Sequence, residues 1–104
     1  MAKLPTAYTK FCRTYPKVAK LHEQLGEAAA GAGPLDERTA HLVKLGMAMG
    51  VRSEGAVHSH VRRALAAGAT AAQVRHVAGL AVPTLGFPAA VAAFTWMEDV
   101  LRKR

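Results

Sequence analysis

The chain has a single cysteine, Cys12, among 104 residues. One thiol excludes an internal disulfide framework and any paired-cysteine redox or zinc motif. Aromatic residues supply only 6% of the sequence, which leaves few rings to stack on bases. Acidic side chains are scarce too: 7 against 14 basic ones, for a formal charge of +7. That excess raises the question of nucleic acid, but the basic residues are scattered. Their only run, Arg102-Lys103-Arg104, falls at the end of the last helical segment, where cations complement the helix dipole. No nucleic-acid-binding motif accompanies them, so a solvated basic surface is expected and no nucleic-acid partner. No apolar run is long enough to span a bilayer, and no signal segment opens the sequence. A cytoplasmic protein without a membrane partner is the expectation.

What is present is alanine-rich and helical. No alternation of polar and apolar residues persists beyond a few positions, so the periodicity predicts an all-α domain of about six helices over residues 1–104. A first helix is expected from about Pro5 to Arg13, with Tyr8, Phe11 and Cys12 turned inward. Pro16 suits the first turn of a second, on which Val18, Leu21, His22 and Leu25 share a face. Gly31-Ala32-Gly33-Pro34 then breaks the chain in a surface turn. Asp36 caps a central helix running to Met49, apolar on most sides, with His41 on its polar edge. Thr70 to Gln73 is a capping-box pattern opening a helix that Pro83 should end. Pro88 starts the last helix, with Val91, Phe94, Met97 and Leu101 inward and Glu98 and Asp99 in water.

The stretch Ser53–Gly68 organises the rest. Ser53 can cap it, Glu54 suits its first turn, and Gly68 can end it in a left-handed conformation. Ala56, Val57, His60, Val61, Ala64 and Leu65 recur on one stripe. His60 therefore points toward the core. His58, about 200° away around the helix, points elsewhere with Glu54 and Arg62. Only Val51 and Arg52 join this helix to the preceding one, which forces an antiparallel pair. In that pair His41 should approach His60 more closely than His58 does, within about 10 Å. If the two rings meet, titration near neutrality is expected of both.

Gly55-Ala-Val-His-Ser-His-Val-Arg-Arg-Ala-Leu-Ala-Ala-Gly-Ala-Thr70, followed by a helix ending Leu-Ala-Val-Pro83, resembles the carboxymuconolactone decarboxylase family, which includes the alkylhydroperoxidase D-like proteins. The preceding helix from Leu35 and the Gly86-Phe-Pro-Ala-Ala90 segment are similar as well, so the likeness covers about residues 34–100. It implies an alkylhydroperoxidase D-like helical fold and self-association, as a trimer or hexamer. The family's peroxidase branch carries Cys-x-x-Cys-x-x-x-His with an upstream glutamate. With the motif histidine on His60, the cysteines fall on Ser53 and Ala56 and the glutamate at about His41. Both thiols and the carboxylate are missing, and no thiol peroxidase activity is expected.

The resemblance makes His60, with His41 and His58, the candidate catalytic residues. They would act on or bind a small organic molecule in a pocket near His60, by lyase- or decarboxylase-like chemistry. The basic balance favours an anionic ligand. The alternative is a non-catalytic homo-oligomeric binding or structural protein that has lost the family's site. A metal shared by His41, His60 and His58 matches no established spacing, so no metal and no cofactor is expected. His22 and His76 have no evident partners, and the methionines and Trp96 read as packing. Because alanine and glycine supply much of the apolar content, one chain has little bulk for a core. Apolar faces such as residues 42–49 should need cover from another subunit.

Overall fold

The short-range signals in the sequence fix most helix ends. In the computed structural model, which describes residue 4 and residues 6–103, six α-helices and no strand occur among the described residues. They fall into two units that divide between Leu35 and Asp36, directly after the Gly31–Pro34 breaker.

The first unit holds α1 (Thr6–Thr14) and α2 (Pro16–Ala30). Pro16 occupies the first turn of α2, where its missing N–H costs nothing. Phe11 and Tyr15 hold the corner between the helices with ring centroids 5.3 Å apart. Neither helix buries a residue. Tyr8 and Phe11 were expected inside, yet both are about half exposed, and only Cys12 of that trio is partly covered. The Val18, Leu21 and Leu25 stripe of α2 is exposed as well. A pair of helices cannot by itself enclose a side chain, so periodicity here marks a face and not a core.

The second unit is a four-helix arrangement: α3 (Glu37–Gly50), α4 (Glu54–Ala66), α5 (Ala71–Leu85) and α6 (Phe87–Leu101). Its caps are local and polar. Asp36 accepts a hydrogen bond from the Thr39 amide, which holds its carboxyl below the usual carboxylate range. Ser53 accepts from the Ala56 amide, and Thr70 and Gln73 form a reciprocal capping box. Gly68 takes φ +100° after α4, a conformation that costs other residues a Cβ clash.

The α3–α4 hairpin is the centre of this unit, closed by Val51 and Arg52, the latter in the left-handed region at φ +54°. Leu45 and Met49 of α3 pack with Val57, Val61 and Ala64 of α4, Val74 and Ala78 of α5, and Met97 of α6. Burying each of the larger side chains stabilises by about 1.5–3 kcal/mol, offset by the entropy of ordering.

Two expectations change. Pro83 does not end α5, which runs two residues further, to Leu85. A proline this close to the C-terminus removes a single intrahelical bond, so the last turn survives it. On α6, Val91 and Phe94 are exposed, whereas Ala89, Ala90, Ala93, Met97, Val100 and Leu101 are buried. The alanine face is the one that lets neighbouring backbones come close.

Candidate functional site

His41 lies on the stripe of α3 that also carries Leu45 and Ala48, one and two turns further along. His60 sits between Val57 and Ala64 on the inward stripe of α4. The antiparallel packing of these helices brings the two rings together. Their Nδ1 atoms are 3.4 Å apart, with centroids 5.6 Å apart and planes inclined by 31°. One Nδ1 must carry the hydrogen and the other accept it, so the neutral pair adopts complementary tautomers.

Both rings are partly buried, and burial is the first cause that holds each imidazole below its ordinary value. For His60 the effect, reinforced by His41, Lys44 and Arg63, brings it down to about 4. Lys44 and Arg63 act on His41 in the same direction, while Glu37 opposes them. The expectation that both histidines titrate near neutrality therefore fails for His60. Desolvation and neighbouring cations disfavour its charged form.

Lys44 and Arg63 were not among the candidate residues read from the sequence. Each follows one of the histidines by three positions, which on a helix places it beside that histidine. The arrangement is thus two imidazoles sharing a hydrogen, flanked by an ammonium and a guanidinium, one pair from each helix. A neutral base beside two cations can receive a small anion and exchange a proton with it.

His58 does not join this pair. Its Nε2 lies 3.2 Å from Asp99 Oδ2 on α6 and 3.9 Å from Glu54 Oε2 one turn back on α4. Asp99, expected in open water, is instead partly covered and bonded to both His58 and Arg102. Its neighbour Glu98 is held by the Arg75 guanidinium, with Oε1 accepting at 2.6 Å. Acidic side chains on α6 fasten that helix to α4 and α5.

A groove of about 510 Å³ opens between α3 and α5, lined mainly by apolar side chains including Leu42, Val43, Met49, Val77 and Leu80, with His76 among them. None of His41, His58 or His60 lines it. It lies on the side of α3 opposite His41. The pocket expected near His60 is therefore not this groove, and His76, which had no evident role, borders it.

Comparison with known proteins places this architecture. The sequence model of the carboxymuconolactone decarboxylase family matches residues 16–99, and the chain belongs to that family. Among solved structures, the fold is similar to apo-lpg0406, a carboxymuconolactone decarboxylase family protein from Legionella pneumophila. The TM-score is 0.72 at 24% sequence identity, covering 91% of this chain and 88% of that one. No curated protein matches the sequence.

Proposed function

We propose that the His41–His60 pair, with Lys44 and Arg63, binds a small organic carboxylate and exchanges a proton with it in decarboxylase-like chemistry. One observation carries this reading: two facing imidazoles 3.4 Å apart, both shifted toward the neutral form by burial, with the same two cations acting on each. Without a ligand, the cations and the partial burial keep protons off the rings. A bound carboxylate offsets both cations and raises the proton affinity of the pair, so binding draws in a proton. That proton enters at the free Nε2 of the ring whose Nδ1 already donates to its partner, where it is available for delivery.

In a decarboxylation conjugated to a carbonyl, the carbon–carbon bond to the carboxylate breaks and carbon dioxide leaves. The electron pair moves into the carbonyl as an enolate, and the imidazolium proton taken up on binding passes to carbon, regenerating the neutral pair. Lys44 and Arg63 stabilise the negative charge throughout. Thiol peroxidase chemistry has no place in this scheme, because Ser53 and Ala56 occupy the positions of the family's two cysteines.

The same reading includes self-association. Met47, Leu80 and Phe87 are each more than half exposed, and the apolar α3–α5 groove is open. Faces of this kind are covered by a second copy in many small helical proteins. A second reading, a non-catalytic oligomer, is favoured by the position of that groove away from the histidine pair.

The test is imidazole NMR with small unsaturated dicarboxylates and carboxylated lactones, alongside carbon dioxide release. Selective movement of the His41 and His60 resonances, proton uptake on binding and loss of both in Lys44→Ala and Arg63→Ala variants are expected. Rings indifferent to every such anion would leave the non-catalytic oligomer as the reading.

A further inference from the structure

Apart from the histidine pair, a second group of side chains converges within the four-helix unit. Glu54 and His58 stand one turn apart on α4, and Asp99 reaches toward them from α6. Each offers one ligand atom, and the three atoms lie within 4.8 Å of one another. We propose that Glu54, His58 and Asp99 bind one divalent transition-metal ion of the zinc class, with water completing its coordination.

The spacing fits such an ion. Donor atoms at about 2.0–2.2 Å from a common metal stand roughly 3–3.5 Å from one another. His58 Nε2 and Asp99 Oδ2 are already 3.2 Å apart. Glu54 Oε2 is 3.9 Å from the same nitrogen and within 4.8 Å of the Asp99 oxygen, so rotation of the Glu54 side chain closes the set. Its side chain is the most exposed of the three and is free to make that adjustment.

The donor set also fits. One imidazole nitrogen and two carboxylate oxygens suit zinc, cobalt or manganese rather than a thiophilic ion. The imidazole between the carboxylates separates this group from a chance acidic patch. Asp99 is held from behind, since Arg102 donates to Oδ1 at 3.2 Å and leaves Oδ2 turned toward His58. A carboxylate fixed through its second oxygen is what orients a metal ligand. The two helices are held in register by buried Val57 and Val61 on α4 and Met97 and Val100 on α6. Because His58 and His60 lie about 200° apart around α4, this site is separate from the histidine pair and does not depend on the function proposed for it.

Chelator-treated, tag-free protein of residues 1–104 titrated with Co²⁺ tests the assignment. Visible d–d absorption saturating at one ion per chain is expected, with Zn²⁺ abolishing it. His58→Ala and Asp99→Asn should weaken Co²⁺ binding by about 100-fold or more. A His41→Ala/His60→Ala double variant should bind as the parent does. Helical circular dichroism monitors folding, and the isosteric Asp99→Asn decides the matter if His58→Ala fails to fold. Absence of Co²⁺ binding by the parent protein overturns the proposal. So does binding that survives both single variants, or binding that disappears with the His41/His60 pair; in the last two cases His58 serves only as an ion-pair clasp between α4 and α6.

Discussion

His41 and His60, 19 positions apart in sequence, face each other across the α3–α4 hairpin and share one hydrogen between their Nδ1 atoms at 3.4 Å. The contact requires that neither helix slide by a residue, because a shift of one position turns a side chain about 100° around its axis. Burial and two neighbouring cations push both rings toward the neutral form. The pair thus joins the packing of the second unit to its pH response.

Acid should destabilise the protein through His60. Its folded-state value is about 4, against 6.5 for an ordinary imidazole. Between those values the unfolded chain binds a proton that the folded chain refuses. The His60 contribution is therefore fully present above pH 6.5, falls as the pH drops through that window, and is gone below about 4. Allowing for solvent screening at a partly exposed ring, the loss is about 1–2 kcal/mol. Urea midpoints at pH 7 and pH 4 should differ less for His60→Gln than for the parent. Equal losses would assign the acid sensitivity to other groups.

Cys12 should be dispensable. It is partly covered on α1 and is the chain's only thiol. Peroxide turnover with a dithiol reductant should stay at background for the parent and for Cys12→Ser alike. Turnover that Cys12→Ser abolishes would contradict the reading that the peroxidase chemistry is absent.

The same glycine substitution should have opposite effects at two sites. Gly68 has φ +100°, so Gly68→Ala should cost about 1–2 kcal/mol although no atom crowds a new Cβ there. Gly79 lies inside α5, and an added Cβ would meet nothing within 4 Å. Gly79→Ala should stabilise by about 0.5–1 kcal/mol through helix propensity. Thermal or urea denaturation separates the two signs.

The protein should sediment as an assembly heavier than the 11.0 kDa chain. Phe87 is 67% exposed and Leu80 57%, which leaves large apolar side chains in water for an isolated subunit. A Leu80→Glu/Phe87→Glu variant should shift the assembly toward the monomer while keeping its helical circular dichroism. A parent protein that stays monomeric at micromolar concentration would show that these faces need no cover.

Sequence and tertiary structure divided the work along a physical line. Signals acting over three or four residues were legible: Asp36, Ser53 and Thr70 cap the helices they were expected to cap, and Gly68 takes the left-handed turn. The inward direction of His60 followed from helical period, and its approach to His41 followed from the short link between two helices. Period alone could not choose between stripes of similar hydrophobicity. On α6 close packing selected the alanines at 89, 90 and 93 and left Val91 and Phe94 outside. Nor could it show that Lys44 and Arg63 act on both imidazoles, or that Asp99 of α6 meets His58 of α4. Those relationships depend on how closely and at what rotation separate helices pack. Caps and periods are properties of neighbours along the chain; burial partners, electrostatic environments and converging ligand atoms exist only once distant segments meet.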